Sequence, residues 1–360
     1  MLKFVRIESK SVFILNFMVI ILINLLIKCT IPHIDKTRVR KLNTKKPQNT
    51  NPLLRKTIII SFYLLFTLIV GCVALAFGMH SAINKDALFH AAMTFKKIVS
   101  PQEALAVQNI NEFGQVTNEF AQLIKDPTKA PTQAPAITDK TMVAFVFGQS
   151  NSANGEGERF EANDHNVFNY FDNHYYIASD PLLGATGTAG SMWTITANKL
   201  IEKKMADKVI LIAAGVGGTS VKQWRNGGDL NQMLENRLKE TQKNHINITH
   251  FLWHQGESDN GTYESEYENG LTEVISLTQR YYPHAKFFVS QASGHCPDAS
   301  SDSILNSQRD ITKLENVFMG PNTDLIDAID RWDGCHLSGR GVEKASNDWV
   351  ERIKNPQKSS

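Results

Sequence analysis

Nowhere in its 360 residues does the chain contain Gly-x-Ser-x-Gly, His-Glu-x-x-His, Cys-x-x-Cys or a phosphate-cradling glycine–lysine loop. These patterns carry the α/β-hydrolase nucleophile, zinc hydrolysis, paired-thiol chemistry and nucleotide hydrolysis. Metal catalysis and nucleotide hydrolysis are thus left without sequence support, and neither a cofactor nor a metal is expected. A positive balance of charge is also missing from most of the chain. Residues 1–56 hold 12 of the 38 Lys/Arg and two of the 36 Asp/Glu, a net +10, so residues 57–360 sum to −8. A body with that balance has no global attraction for nucleic acid.

What is present begins with two apolar runs. Thr57 to Met79 is 23 residues without a charge, long enough to cross a bilayer as a helix. Val12 to Ile27 is shorter and includes Asn16 and Asn24; it is a candidate first span. Nine Lys/Arg lie between the runs, and the next basic residues after Met79 are Lys85, Lys96 and Lys97. The positive-inside bias keeps residues 28–56 cytoplasmic and sends everything after Met79 to the outer face, anchored to the membrane. Cys29 and Cys72 belong to the membrane-associated sequence. Cys296 and Cys335 lie in the exported part, where a disulfide persists if it forms.

Residues 80–125 read as a helical stalk. Ser100, Pro101 and Glu103 make a helix start, and Leu105, Phe113, Val116, Phe120, Leu123 and Ile124 recur at helical spacing. Such an apolar face would pack on the following domain or on a second copy of the chain. Residues 126–139 then form a Pro-rich linker.

From residue 140 the texture alternates. Strand-like runs occupy 141–147, 208–214, 249–254, 286–291 and, weakly, 324–329, with helical stretches near 190–204, 230–243, 262–281, 302–316 and 338–353. Short buried-type strands separated by helices predict a parallel sheet covered on both faces. In such sheets ligands bind beyond the carboxyl ends of the strands. Polar and glycine residues gather at those ends: Gly148-Gln149-Ser150-Asn151, then Gly217-Gly218-Thr219-Ser220, then His254-Gln255-Gly256-Glu257, and finally Asp333-Gly334-Cys335-His336.

That set fits acyl transfer. A serine hydroxyl needs a base, and the base needs a group to orient it. Ser150 is the candidate nucleophile, His336 the base and Asp333 its partner at a spacing of three. The Ser150 and Gly217 backbone N–H groups and the Gln255 side-chain amide are the candidate oxyanion donors. Gly218 is the fallback for Gly217, and Glu257 a rival to Asp333. Asn151, His254, Gly218 and Glu257 are weaker candidates for contact with substrate. The glycine-rich stretch 180–193 is either a solvent loop capped into a helix near Ser191 or a wall of the acyl pocket. Phe168, Tyr170, Phe171, Tyr175 and Tyr176 read as core, with one or two of them available to stack on a sugar. Cys296 and Cys335 both fall at this rim, and a bond between them would pin the loop bearing Asp333 and His336.

GQSN, GGTS, WHQGESD and DGCHLS, in that order over about 145–345, resemble the SGNH (GDSL-like) hydrolases, and more narrowly the sialate O-acetylesterase / carbohydrate esterase family six branch. The resemblance implies a flavodoxin-like three-layer α/β/α sandwich over 140–360 and a serine esterase that removes O-acetyl groups from a carbohydrate. By position it makes Ser150 the nucleophile, His336 the base, Asp333 its orienting group, and Gly217 with the Ser150 N–H the oxyanion hole; Gln255 stands where the wider superfamily has asparagine. Two rival expectations keep the same residues: an acyltransferase to a sugar hydroxyl, and a glycan-binding module whose site has decayed.

Overall fold

Eight consecutive residues, Thr141–Gly148, are all buried, yet they serve two separate cores. Val143, Phe145 and Phe147 point into one, and Met142, Ala144 and Val146 into the other. Period-two alternation in a strand with no polar face means that both sides of the sheet are covered.

The computed structural model describes residues 109–294, 296 and 298–359. The expected spans at 12–27 and 57–79, and the stalk before 109, lie outside the described residues. Among those described, no helix is long and apolar enough to cross a membrane. In chain order the strands are β1 (Asn109–Ile110), β2 (Val116–Thr117), β3 (Leu123–Lys125), β4 (Thr141–Gly148), β5 (Val167–Phe171), β6 (His174–Ile177), β7 (Lys208–Ala213), β8 (His250–His254), β9 (Lys286–Gln291) and β10 (Val317–Asn322). The helices are α1 (Met192–Glu202), α2 (Val221–Trp224), α3 (Asn231–Lys243), α4 (Glu264–Tyr281), α5 (Asp302–Asp310) and α6 (Gly339–Lys354).

Seven strands form the main sheet in the order β10-β9-β8-β4-β7-β5-β6. All neighbours are parallel except β5 and β6, so the sheet is mixed and mostly parallel rather than wholly parallel as expected. The antiparallel pair comes from a two-residue hairpin at Asp172-Asn173, both at positive φ. That geometry matches the twist of the flanking strands, and asparagine and aspartate tolerate it. The aromatics around the hairpin are therefore strand residues: Phe168 and Tyr170 are buried in the core, and Tyr175 packs against it.

Helices α2, α3, α4 and α5 supply the Phe145 side of the core, with Trp224, Leu234, Tyr267, Leu271 and Ile304. Helices α1 and α6 supply the other side, where Trp193 and Trp349 lie 5.1 Å apart. Helix α6 buries Val342, Ala345, Trp349, Val350 and Ile353, one stripe at helical spacing. Its start is set by Ser338, whose hydroxyl accepts from the Gly341 N–H. The result is the expected three-layer α/β/α arrangement, of the kind found in flavodoxin-like and SGNH folds.

Two elements differ from the sequence reading. The weak strand at 324–329 is instead a pair of 3-10 turns with Leu325 and Ile329 exposed, and the strand is Val317–Asn322. Gly320-Pro321 hides that strand in the sequence; proline is tolerated because β10 is an edge strand. Residues 109–125, expected to be helical, form the three-stranded antiparallel ribbon β1-β2-β3. The cause is a seven-residue repeat, NEFGQVT then NEFAQLI. In each copy the leading asparagine side chain accepts from backbone N–H groups two and four residues on, which makes a turn: Asn111 from Phe113 and Gln115, Asn118 from Phe120 and Gln122. A seven-residue apolar spacing imitates a helix, but here it counts turns. No helical face for self-association exists in the described part of 100–125. The following Pro-rich residues are docked rather than free: Thr132 N–H bonds the Tyr175 carbonyl, along the edge strand β6.

The chain passes from β4 to β5 and back to β7 on one side, then crosses to β8 on the other. The crevice beyond the end of β4, between β7 and β8, is therefore the topological switch point. Gly148 closes β4 there at φ 130°, and a Cβ on it would lie 2.0 Å from the His254 carbonyl oxygen. Gly148→Ala is expected to cost about 3 kcal/mol or more from backbone strain and overlap, lowering Tm by on the order of 10 °C. Thermal unfolding by circular dichroism checks this; an unchanged Tm would mean the junction is not rigid.

Candidate active site

Ser150 stands two residues beyond β4 and opens the 3-10 turn Ser150–Ser152. Gln149 extends the pairing with β8 by donating its N–H to the His254 carbonyl. Its buried side-chain oxygen accepts from the Gly256 and Ser258 N–H groups at 3.3 and 3.1 Å, tying the nucleophile turn to the β8 loop. At the head of a turn the Ser150 N–H has no acceptor within that turn, which suits it to bind an oxyanion.

Asp333 and His336 lie on the loop between β10 and α6. The Asp333 Oδ2 is 2.6 Å from His336 Nδ1, and its Oδ1 accepts from the His336 and Cys335 N–H groups at 2.7 and 2.9 Å. Burial pushes the Asp333 carboxyl up, but the hydrogen bonds from His336 and Cys335 outweigh it and hold the group below the ordinary value. One ionised carboxylate therefore folds the loop and fixes the ring through Nδ1, while Nε2 lies 4.0 Å from the Cys335 sulfur.

The loop is clamped from several sides. Arg331 donates to the carbonyls of Cys335, Thr323 and Ile326. Buried Glu156 accepts from the Leu337 N–H at 2.7 Å. Cys296 and Cys335 form a disulfide with Cα atoms 4.7 Å apart. The Trp332 ring lies stacked near His336, with centroids 6.1 Å apart, and its indole N–H donates to the Gly155 carbonyl. Trp332 is nevertheless 58% exposed.

The separate loops converge. A point at the Cβ position of Gly155 is 3.0 Å from the Ser150 carbonyl oxygen and 3.5 Å from His336 Nε2. The corresponding point on Gly217 is 3.5 Å from the Ser150 Cβ. A side chain at Gly155 would crowd His336 and the nucleophile turn, whereas one at Gly217 would make ordinary contact only. The Gly217 N–H donates to the Thr186 hydroxyl at 2.8 Å.

Other candidates fall elsewhere. The Gln255 side chain is fully buried, and its amide hydrogens go to Asp259 Oδ2 and the Thr219 carbonyl at 2.5 and 3.0 Å. It ties the β8 loop to the β7 loop and does not face Ser150 as an oxyanion donor. Asn151, His254 and Glu257 are also buried and form a chain of their own. Asn151 donates to Glu257, Glu257 lies 3.8 Å from His254 Nδ1, and His254 Nε2 meets the Thr323 hydroxyl. Burial pushes the His254 imidazole down, so it stays neutral. These three brace the turn from below, out of reach of a substrate. Gly218 is exposed at φ 68° with open space around it.

The stretch 180–193 combines both of its expected roles. Ser191 caps α1, and Asp180 accepts from the Ser191 and Phe160 N–H groups and the Thr194 hydroxyl. Burial pushes the Asp180 carboxyl up to about 6. The same stretch is drawn against the nucleophile turn by Asn154, whose side chain bonds Leu182 and Ala185, and it brings Thr186 to Gly217.

Four contributors escaped the sequence reading: Glu156, Arg331, Trp332 and Thr186. Arg331 and Trp332 were signalled only by adjacency to Asp333. Glu156 is six residues beyond Ser150 in a glycine-rich turn, with no sequence signal of burial. Burial pushes its carboxyl well above the ordinary value of 4.5, which the Leu337 amide and the charge of Arg331 offset only in part.

A hydroxyl, an imidazole and a carboxylate near the switch point of an α/β/α sheet are the groups that ester hydrolysis by acyl transfer would use. Residues 140–352, more than half of the chain, match the family model for carbohydrate esterases described as sialic acid-specific acetylesterase. The chain belongs to that family and is a carboxylic ester hydrolase, of the carbohydrate acetylesterase kind at family level. A comparison with curated proteins finds no match. Similar solved structures include a protein from Arabidopsis thaliana, at 19% identity over 60% of this chain and 98% of that one, TM-score 0.48. NanS is 15% identical over 60% and 97%, TM-score 0.44. A family 3 carbohydrate esterase from Clostridium thermocellum is 15% identical over 60% and 96%, TM-score 0.39.

Glu156 makes stability depend on pH. Its folded value lies above 4.5, so the folded state binds more protons than the unfolded chain between the two values. Its contribution is complete below about 4.5 and is lost as pH rises through the folded value. Glu156→Gln keeps an acceptor for the Leu337 N–H without a titrating proton. Urea midpoints measured from pH 4.5 to 8 should therefore fall more steeply in the wild type than in the variant. Parallel curves would remove Glu156 as the source.

Proposed function

We propose that this chain hydrolyses O-acetyl esters of a carbohydrate through an acetyl-Ser150 intermediate. The observation that carries the reading is the 2.6 Å Asp333–His336 bond on a loop that comes close to the Ser150 turn around Gly155. His336 Nε2 takes the Ser150 hydroxyl proton as Oγ attacks the acetyl carbonyl carbon. Asp333 stabilises the imidazolium. The tetrahedral intermediate collapses, the carbon–oxygen bond to the sugar breaks, and His336 returns the proton to the leaving sugar oxygen. Water, deprotonated by the same nitrogen, then releases acetate and restores Ser150.

A carbohydrate substrate is supported by Trp332. Its backbone and indole nitrogen are fixed, its ring lies stacked near that of His336, and it is exposed. An indole so placed offers the C–H face of a pyranose an apolar contact beside the ester. Attachment to a membrane by residues 57–79, with this domain on the outer face, is supported by the length of that apolar run and by the Lys/Arg excess before it.

The test is acetate release by the purified full-length protein from 4-nitrophenyl acetate and from an O-acetylated sugar. Ser150→Ala should lower kcat by about 10⁴-fold or more. Trp332→Ala should raise KM for the sugar ester about tenfold. A folded wild type that releases no acetate from either ester would overturn the reading, and acetyl transfer to an added sugar would point to the acyltransferase.

A further inference from the structure

Two of the three oxyanion donors expected from the sequence are engaged elsewhere. The amide hydrogens of Gln255 are taken by Asp259 and Thr219. The Gly217 N–H already donates, at 2.8 Å, to the Thr186 hydroxyl. That hydroxyl lies beside the nucleophile: the Cβ position of Gly217 is 3.4 Å from Thr186 Oγ1 and 3.5 Å from the Ser150 Cβ. Taking the proposed esterase reading as its basis, we propose that Thr186 is a catalytic residue whose hydroxyl donates to the acyl oxygen as it becomes an oxyanion.

A hydroxyl carries one donor and two acceptor positions. Here one acceptor position is filled by the Gly217 N–H, so the hydroxyl hydrogen is turned away from Gly217 and is available to a substrate. The resulting series, Gly217 N–H to Thr186 O–H to oxyanion, polarises in the direction that strengthens the last bond. The backbone amide of Gly217 then acts through Thr186, while the Ser150 N–H donates directly. No covalent bond to Thr186 forms or breaks.

Thr186 is also preorganised, as electrostatic stabilisation requires. Its N–H donates to the Gly215 carbonyl, and its carbonyl accepts from the Asn154 N–H. It is bridged to Gln122 on the ribbon strand side. The residue is therefore held between the nucleophile turn, the β7 loop and the N-terminal ribbon, while its side chain stays partly exposed.

The experiment compares the full-length wild type with Thr186→Val and Thr186→Ser. Valine keeps the shape and removes the hydroxyl; serine restores the hydroxyl. One arm measures kcat and KM on 4-nitrophenyl acetate. The other measures the rate at which a 4-nitrophenyl alkylphosphonate labels Ser150, read by mass spectrometry. In that reaction the Ser150 Oγ–phosphorus bond forms, 4-nitrophenolate leaves, and the adduct is tetrahedral like the intermediate. Thr186→Val is expected to lower kcat and the labelling rate together by about 10²-fold, with KM within about threefold. Thr186→Ser is expected to recover most of both. A Thr186→Val protein as fast as the wild type, or faster, would overturn the proposal and make Thr186 a placeholder that yields the Gly217 N–H to substrate. Wild type that is not labelled at Ser150 would overturn the esterase reading together with this one, whereas labelling independent of Thr186 would overturn this one alone.

Discussion

Burial of β4 on both faces is the constraint from which the site follows. A strand with no solvent face can hold a polar side chain only where a partner is at hand to satisfy it. From Met142 to Phe147 every residue is apolar and belongs to one core or the other. Chemistry can start only beyond Gly148, where the close approach of the His254 carbonyl forbids a side chain and the next residues turn away from the sheet. The strand order then decides what surrounds that point. With β7 on one side and β8 on the other, the loops after three adjacent parallel strands open into one crevice. Ser150 and Gly217 meet there because of topology rather than proximity in sequence.

The base comes from outside that arrangement and has to be brought to it. Its loop leaves an edge strand, where neighbouring backbone gives little support, and the structure compensates with covalent, ionic and hydrogen-bonded clamps. Arg331 gathers three carbonyls, Glu156 holds Leu337, and the disulfide ties Cys335 to the segment after β9. Closing a loop of 39 residues constrains the unfolded chain by about 3–4 kcal/mol on the chain-entropy model. Some of that offsets the polar groups buried under the nucleophile. Asn151 Oδ1, Glu156 Oε1, His254 Nδ1 and Glu257 Oε2 have no protein partner among the described residues. Such a concentration of unsatisfied atoms beside a site is a cost in stability accepted for its geometry.

The sequence disclosed whatever was written in short-range chemistry. Ser150, Gly217, Asp333 and His336 stood out because glycine and polar residues broke apolar runs at the ends of strands, and the structure brings these four together. Buried strands β4, β7, β8 and β9 were visible for the same reason. What stayed hidden depended on partners far away in the chain. A glutamine after a strand reads equally well as an oxyanion donor or as a brace, and only the position of Asp259 makes Gln255 a brace. Glu156 reads as a surface acid until Leu337 and Arg331 surround it. Residues 111–124 were misread because a turn repeat of seven and a helical stripe share a spacing; the asparagine at the head of each copy was the distinguishing sign. Strand β10 was concealed by a proline that only an edge position tolerates.

The family match covers 140–352, yet one wall of the site is supported from outside it. Leu123 in the ribbon donates its N–H to the Ala185 carbonyl and accepts from the Gly184 N–H. Gln122 reaches the Ala214 carbonyl at 3.1 Å, at the end of β7. The ribbon therefore grips both segments that flank Ser150 on that side: 182–186, which carries Thr186, and the start of the Gly217 loop. A family domain cut at residue 140 would keep the serine, the histidine and the carboxylate but lose the backing of that wall. Catalytic identity and catalytic precision thus reside in different parts of this chain. The motifs carry the first, and an irregular seventeen-residue ribbon with no catalytic residue of its own supports the second.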